Sequence, residues 1–235
     1  YFYLYAFHNL IIKNSILTKK KTYADVKMDL IALKYLNIDK GFFVDVGCFH
    51  PSRLNNTFLM YQKGWRGINI DMNEISIKLF NLVRSEDINI NCAVSKKEEE
   101  ISFYTKKELF MSASLKKSSD LKIIKKIQSR QLTNIINSTK YKSRQIDFLS
   151  VDCEGFDLEV IKTLNFDIYS PKLICIEIPN KNIEDLKEKE TYQYIISKNY
   201  KMIFSNEMNS MFLKNDLLNL NNRFFLTFSS NFYLI

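Results

Sequence analysis

The chain reads FFVDVG at residues 42–47, and this stretch decides the fold. A short, largely apolar run directly before a glycine is typical of a strand that is buried on both faces of a parallel sheet. Between Pro51 and Gly64 apolar residues recur at helical spacing, which predicts a helix that begins at the proline and stops at the glycine. Strand, turn and helix together are the repeating unit of an α/β fold.

The same unit repeats along the chain as far as Lys214. The predicted strands are 42–46, 68–70, 88–94, 100–105, 121–128, 146–151, 173–178, 201–204 and 211–214. The predicted helices are 51–64, 75–83, 132–137, 158–164 and 183–197, and residues 106–120 are predicted as a surface loop. This alternation favours an α/β, Rossmann-like fold with a mostly parallel central sheet and helices on both faces.

The first and last elements of the strand–helix alternation divide the chain into three parts. Residues 40–214 form one predicted domain, preceded by an aromatic and basic extension, residues 1–39, and followed by an aromatic extension, residues 215–235. With 235 residues, of which 46% are hydrophobic, the chain can bury a substantial core.

Charge and cysteine content narrow the class of protein. A net charge of +8 invites a nucleic-acid partner, but the lysines stand in short clusters without interleaved arginines and aromatic residues, so nucleic acid is not favoured. Four widely spaced cysteines and the lack of a C-x-x-C pattern disfavour a disulfide framework and a zinc site, so no metal is predicted. No apolar run reaches the length of a membrane span, so no transmembrane segment and a cytoplasmic location are expected.

Two acids stand at the edge where α/β sheets bind ligands. The first turn lacks the G-x-G-x-x-G pattern that brings bare backbone against a pyrophosphate, so a dinucleotide is disfavoured. Asp45, close to Gly47, would repel a phosphate but suits the cationic sulfonium and ammonium groups of S-adenosylmethionine. Asp71 stands near the roughly 20-residue offset at which an acid accepts hydrogen bonds from ribose hydroxyls. A helix N-cap is the alternative interpretation of Asp71.

Six motifs follow one another in a fixed order. They are FVDVG (43–47), HP (50–51), NNT (55–57), KGWRGINID (63–71), NCAVS (91–95) and DCEG (152–155). In this order they resemble the FkbM-type methyltransferase family over residues 40–214, and the ordered set is more specific than any single motif. The resemblance implies a class I methyltransferase fold, S-adenosylmethionine as the cofactor and, usually, O-methylation of a sugar or natural-product hydroxyl.

The resemblance also implies positions for the cofactor. Asp45 and Gly47 are expected at its methionine end, Asp71 on its ribose, and Cys92 with Ala93 beside its adenine. The full set of cofactor-binding residues predicted on this basis is Asp45, Gly47, Cys48, Asp71, Met72, Cys92, Ala93 and Asp152. Two features depart from the family pattern: Cys153 occupies the apolar place of the Asp, apolar, Glu, Gly motif, and the lysine-rich stretch 106–126 matches nothing in the family. The acceptor is therefore not identified by the resemblance.

Methyl transfer to an alcohol sets its own requirement. The methyl group of the cofactor is already activated, so the enzyme mainly aligns the acceptor, and a base that removes the hydroxyl proton adds to the rate. Asp152, Glu154 and His50 are the candidate catalytic residues at the expected edge. His50 can equally be a loop histidine that holds a turn. Glu154 can bind substrate, cap the helix after Gly155 or meet a lysine.

Three functions remain open at this level. The leading hypothesis is an O-methyltransferase that acts on a small-molecule or glycan acceptor. An RNA-directed methyltransferase would use the +8 charge, while a catalytically silent relative would use the same fold as a binding module through its aromatic termini.

Overall fold

A computed structural model describes residues 1–105, 113–114 and 123–218. The helices are α1 (Phe2–Phe7), α2 (Met28–Leu36), α3 (Phe58–Gln62), α4 (Glu74–Val83), α5 (Leu132–Asn137), α6 (Asp157–Lys162), α7 (Ile183–Glu188) and α8 (Glu190–Ser197). The strands are β1 (Phe42–Val46), β2 (Arg66–Asp71), β3 (Ile88–Asn91), β4 (Ala93–Val94), β5 (Glu100–Thr105), β6 (Ala113–Ser114), β7 (Ile123–Arg130), β8 (Phe148–Val151), β9 (Leu173–Glu177), β10 (Tyr200–Ser205) and β11 (Asn209–Lys214). Most of the predicted loop 106–120 and the aromatic residues 219–235 lie outside the described residues.

The main sheet confirms the predicted Rossmann-like fold. Its strand order is β3-β2-β1-β8-β9-β11-β10. The pairs from β3 to β9 are parallel, whereas β11 runs antiparallel to both β9 and β10. Without β11 this is the 3-2-1-4-5-6 order of a doubly wound sheet, whose ligand site lies beyond the carboxyl ends of the strands, where the order reverses.

Both faces of the main sheet are covered, as predicted. On one face Phe42, Val44 and Val46 of β1 pack in a cluster with α5, α6, α7 and α8. On the other face Phe43 packs with α2, α3 and Trp65. Because side chains alternate along a strand, Asp45 shares the face of Phe43 rather than the face of Val44. This alternation determines where the Asp45 carboxylate lies.

A second sheet lies beside the main one, in the order β4-β7-β5-β6. The predicted strand 88–94 is divided between the two sheets: β3 pairs with β2, and β4 pairs with β7. The chain therefore changes sheets at Cys92, whose backbone N–H donates to the carbonyl oxygen of Asp71 at 3.1 Å. The strand predicted at 121–128 is present as β7, two residues further along at each end.

Two predicted helices are wrong in extent. The helix expected to begin at Pro51 begins only at Phe58, since Leu54 is left-handed at φ +48° and Asn55 points its side chain at the carbonyl oxygen of Cys48. The helix predicted over 183–197 is interrupted at Lys189, whose extended backbone separates α7 from α8.

The N-terminal residues pack on this domain. Helix α1 continues as the π-helix His8–Lys13, and Ala6 and Leu10 of this segment pack against Ile75 and Leu79 of α4. Within the described residues no helix is both long and apolar enough to cross a bilayer.

Candidate active site

The carboxyl ends of four neighbouring parallel strands place acids along one edge of the main sheet. Asp71 ends β2, Asp152 follows β8 and Glu177 ends β9. Between them lies the turn after β1, which begins at Gly47. The strand order thus brings together residues that are about a hundred positions apart in sequence, as the edge rule for α/β sheets requires.

Gly47 lets the ends of β1 and β8 approach closely. Its backbone has φ +75°, and a Cβ built on it would lie 1.8 Å from the carbonyl oxygen of Asp152. Its N–H donates to the carbonyl oxygen of Ile70 at 2.9 Å. A residue with a side chain would push Asp152 away, so Gly47 sets the distance between the β1 turn and the acid after β8.

Asp45 is held inside the protein rather than at the open edge. Its carboxylate accepts hydrogen bonds from Thr57 Oγ1 at 2.7 Å and from Asn55 Nδ2 at 3.2 Å. Burial raises the pKa of Asp45, and the Arg84 charge and these hydrogen bonds oppose the rise. The expected contact of Asp45 with the methionine end of the cofactor stays a prediction. In the structure Asp45 anchors the loop that carries Asn55 and Thr57.

Arg84 completes this buried network, and sequence reasoning missed it. Its guanidinium is fully buried and donates to Asp87 at 2.9 Å, Thr57 Oγ1 at 3.0 Å and Asn55 Oδ1 at 3.2 Å. Asn55 in turn donates to the carbonyl oxygen of Cys48 at 3.1 Å. The only sequence signal is an arginine three residues before an acid at a helix end, which is common on protein surfaces. The network connects the end of α4 to the turn after β1.

Arg84→Met is expected to lower the free energy of unfolding by about 3–5 kcal/mol, because it leaves the buried carboxylate of Asp87 without its cationic partner. Urea denaturation of the ligand-free protein measures this loss. Arg66→Met is the matched control, since Arg66 pairs with the exposed Glu86 and such pairs contribute little. Equal losses in the two variants would show that the Arg84 network does not stabilise the fold.

Asp71 holds the turn after β1 and the approach to α4. Its two oxygens accept from the backbone N–H groups of Asn73, at 2.7 Å, and Phe49, at 2.9 Å. The N-cap interpretation of Asp71 is wrong, because Asn73 is the N-cap and accepts from the N–H of Ile75. Burial raises the pKa of Asp71 to about 7, although both backbone hydrogen bonds favour the charged form. Each oxygen keeps acceptor capacity for a hydroxyl donor.

The residues predicted to border the adenine lie together next to Asp71. Ala93 packs with Phe103 and Ile127 of the second sheet, and Met72 packs against this cluster. Cys92 is buried, and its thiol donates to the carbonyl oxygen of Ala93 at 3.1 Å. Met72 and Ala93 thus contribute to an apolar wall beside the acid, whereas Cys92 packs in the core of the main sheet.

Cys48 stands apart from that wall. Its side chain is buried against Ile77 and Phe80 of α4. Burial raises the pKa of the Cys48 thiol well above its ordinary value, so the thiol is neutral. Within the turn after β1, the backbone N–H of Cys48 donates to the carbonyl oxygen of Ile70, and its carbonyl oxygen accepts from Asn55 Nδ2.

Asp152 lies in the most acidic part of the edge. Although solvent reaches its side chain, surrounding protein raises its pKa to about 8. The charges of Glu177, Asp157, Glu154 and Asp45 add to the rise. Burial likewise raises the pKa of Glu177 to about 7 and that of Asp157 to about 6. The edge therefore holds more negative charge than its own residues neutralise.

Asp157 and Glu177 belong to this edge although sequence reasoning did not select them. Asp157 accepts from the N–H groups of Cys153 and Gly155 at 2.9 and 3.0 Å, so Asp157 orders the loop. Glu154 is exposed and left-handed at φ +53°. Glu177 ends β9 and is the last residue but one of the strand predicted over 173–178, so the rule that selected Asp71 could have found it.

His50 is buried within the turn after β1. Its Nδ1 accepts from the N–H groups of Ser52 and Arg53, each at 3.1 Å, and its Nε2 lies 2.8 Å from Asn9 Oδ1. Burial lowers the pKa of His50 to about 3, and the charges of Arg53, Lys13 and Lys20 lower it further. Since both ring nitrogens are engaged, these contacts favour the loop-histidine interpretation over that of a base.

No metal-binding arrangement is present in the part of the chain that the structure describes: no group of three or more His, Cys, Asp or Glu is placed to hold an ion. The acids of the edge are dispersed among strand ends rather than gathered around one point.

Fold and site together define a Rossmann-like domain with an acidic edge beside an apolar wall. The family model described as the methyltransferase FkbM domain matches residues 45–202, and the chain belongs to this family. No curated protein matches the chain.

Solved structures of several methyltransferases are similar to this chain at low identity. A TehB-like SAM-dependent methyltransferase from Corynebacterium glutamicum is 10% identical, with a TM-score of 0.43 over 90% of this chain and 96% of that one. The precorrin-6y C5,15-methyltransferase from Geobacter metallireducens is 7% identical, with a TM-score of 0.46 over 84% and 94%. An O-methyltransferase from Bacillus cereus, solved in complex with SAH, is 9% identical, with a TM-score of 0.45 over 89% and 91%.

Proposed function

We propose that this chain binds S-adenosylmethionine at the acidic edge and transfers its methyl group to a hydroxyl oxygen of a saccharide, glycan or natural product. Membership of the FkbM methyltransferase family supports the reaction class. The observation that carries the cofactor is the surplus of carboxylates. Burial and neighbouring acids raise the pKa values of Asp71, Asp152 and Glu177, and within the described residues the charges that act most strongly on the three are those of carboxylates. A ligand with a sulfonium and an ammonium group relieves this repulsion.

The residues present fit the parts of this cofactor. Each oxygen of Asp71 keeps acceptor capacity for a ribose hydroxyl beside its backbone hydrogen bond, and the wall formed by Met72 and Ala93 suits the adenine ring. The turn from Gly47 and the backbone of Asp152 lie close together at the ends of β1 and β8, which suits the methionine end.

The turn after β1 does not suit a phosphate. The N–H groups of Gly47 and Cys48 both donate to the carbonyl oxygen of Ile70, at 2.9 and 3.2 Å, and that of Phe49 donates to Asp71. A pyrophosphate site needs such amides to be free. This arrangement favours a cationic ligand over a dinucleotide.

The bound cofactor supplies an activated methyl group. The protein aligns the acceptor for in-line attack and receives its proton. Bound S-adenosylmethionine would supply the methyl group to the acceptor oxygen and leave as S-adenosylhomocysteine, and a carboxylate of the edge would receive the hydroxyl proton. Among the three candidate bases Asp152 fits best, because its raised pKa of about 8 makes it basic enough to assist while solvent and substrate can reach it.

Incubation with methyl-labelled S-adenosylmethionine and a panel of glycans, small alcohols and RNA tests this function. Label in the glycans or small alcohols is the expected result, and alkali-stable label on oxygen identifies the bond. Label in RNA alone would support the RNA-directed alternative, for which the +8 charge speaks. Tight cofactor binding without transfer to any acceptor would support a silent binding module.

Asp71→Ala is expected to weaken S-adenosylmethionine binding by about tenfold to a hundredfold, the range for hydrogen bonds to a charged group. Isothermal calorimetry measures the affinity, and circular dichroism checks that the variant is folded. Asp167→Ala is the control, because Asp167 is exposed and precedes β9 at the opposite edge of the sheet. If folded Asp71→Ala binds the cofactor as tightly as the parent, Asp71 does not hold the ribose.

A further inference from the structure

One face of the N-terminal helical segment is apolar and has no partner among the described residues. Ala6 and Leu10 turn one side of this segment onto α4. The other side exposes 76% of Tyr3, 74% of Leu4 and 59% of Phe7. Three large apolar side chains on one exposed helix face exceed what scattered surface residues explain, and such faces mark interaction sites.

Exposed lysines follow this face. Lys13 ends the π-helix, and Lys19, Lys20 and Lys21 come shortly after it. The charges of Lys13 and Lys20 both act on His50. Asn14, which follows Lys13, contacts His50, and Tyr23 accepts from the N–H of Lys20 and from the N–H of Asn55. Lys13 and Lys20 therefore lie near the turn after β1, next to the segment that carries the apolar face.

An apolar helix face with lysines beside it favours one kind of partner. Aromatic and leucine side chains on one face with lysines beside them are the pattern of a helix that lies in a membrane interface, where tyrosine rings are also favoured. In a symmetric dimer the same face would meet itself and bring the lysines of the two copies together, which is repulsive. A nucleic acid would satisfy the lysines but leave the apolar side chains facing phosphates.

We propose that this docking segment, formed by Tyr3, Leu4, Phe7, Lys13 and Lys19 to Lys21, binds the surface of an anionic lipid membrane. Asn9 and Asn14 of the same segment contact Nε2 of His50 in the turn after β1, at 2.8 and 3.3 Å. Docking therefore holds the cofactor edge beside the membrane. An acceptor hydroxyl on a lipid-linked molecule would then be presented to the site, a consequence that rests on the proposed methyl transfer.

Vesicle flotation with the full chain, without cofactor or acceptor, tests the docking. The chain is expected to float with vesicles of phosphatidylcholine and phosphatidylglycerol, to stay behind with phosphatidylcholine alone, and to lose binding as salt rises. The variant Tyr3→Ser/Leu4→Ser/Phe7→Ser is expected to bind at least about tenfold more weakly. The variant Lys20→Glu/Lys21→Glu is also expected to bind these vesicles at least about tenfold more weakly.

Matched controls come from the opposite edge of the sheet. Ile168→Ser removes another exposed apolar side chain, and Lys140→Glu/Lys142→Glu changes the net charge by the same amount as the lysine pair. Both controls are expected to bind vesicles like the parent. Binding that is equal in all variants, or absent from anionic vesicles, would overturn the proposal. A dimer in lipid-free solution that the triple serine variant abolishes would overturn it in favour of self-association. Because the assay contains no cofactor, each of these results leaves methyl transfer untouched.

Discussion

Gly47→Ala is expected to lower the free energy of unfolding by about 2–5 kcal/mol and to slow methyl transfer in the molecules that stay folded. A left-handed conformation costs an alanine about 1–2 kcal/mol, and a clash that moves backbone adds about 1–3 kcal/mol. The new Cβ would lie 1.8 Å from the carbonyl oxygen of Asp152, so the ends of β1 and β8 must separate. Urea denaturation and single-turnover transfer under native conditions measure the two effects.

Gly64→Ala is the matched control for this variant. Gly64 is also left-handed, at φ +89°, but a Cβ there would meet only the side chain of Lys40, at 3.6 Å. Only the conformational cost of about 1–2 kcal/mol is expected, with methyl transfer unchanged. If Gly47→Ala and Gly64→Ala behave alike, the close approach of β1 to β8 has no role of its own.

Asp152→Asn is expected to slow single-turnover methyl transfer by about a hundredfold to ten thousandfold, the usual contribution of a general base. An amide keeps the shape of the carboxylate but cannot accept the hydroxyl proton. The affinity for S-adenosylmethionine, measured by calorimetry on the same preparation, is expected to fall by much less than the rate, because other carboxylates of the edge remain. A large loss of affinity would assign Asp152 to cofactor binding instead.

Glu154→Gln and His50→Gln separate the remaining candidates. Glu154 is exposed at the outside of the loop, and the ring nitrogens of His50 are bonded within its own turn. Both variants are therefore expected to transfer within a few-fold of the parent. Three rates that all stay within a few-fold would eliminate a base and leave positioning of the acceptor as the whole contribution of these residues.

The sequence predicts the parallel part of the fold well because β1, β2, β8 and β9 are largely buried on both faces. Such strands are continuous apolar runs, so β1 was predicted with the bounds that it has and β9 within one residue. The start of α3 was predicted wrongly because Asn55 is held by Asp45 and Cys48, a contact between distant elements that overrides helical spacing. Strand β5 pairs with β7 across an intervening stretch of chain, and such a pairing produces no local pattern in the sequence.

Some residues of the candidate site could likewise be selected from the sequence, and others could not. Asp71, Asp152 and Gly47 could be selected from the sequence because the edge of a parallel sheet collects whatever follows each strand. Arg84 could not be selected, since its importance comes from complete burial against Asp87, Asn55 and Thr57. Asp45 was selected for its charge, but the alternation of side chains along β1 turns its carboxylate into the protein.

The surplus charge of the edge also determines a pH dependence. In the unfolded chain an aspartate has a pKa of about 3.9. Folding raises the pKa of Asp71 to about 7 and that of Asp152 to about 8. From the unfolded pKa of about 3.9 up to these folded values, the folded protein therefore binds more protons than the unfolded chain. The contribution of these groups to stability is therefore largest below about pH 4 and is lost as the pH rises through 7 to 8. A bound cation lowers both pKa values and releases protons.

Calorimetric titration of S-adenosylmethionine near pH 7, in two buffers with different heats of ionisation, tests the central claim most directly. We expect saturable binding with release of protons, and a smaller release with S-adenosylhomocysteine, which lacks the sulfonium charge. We expect weaker or no binding of NAD, because the amides of the turn after β1 are already bonded. Tighter binding of NAD than of S-adenosylmethionine, or no binding of S-adenosylmethionine by the folded protein, would contradict the proposed function.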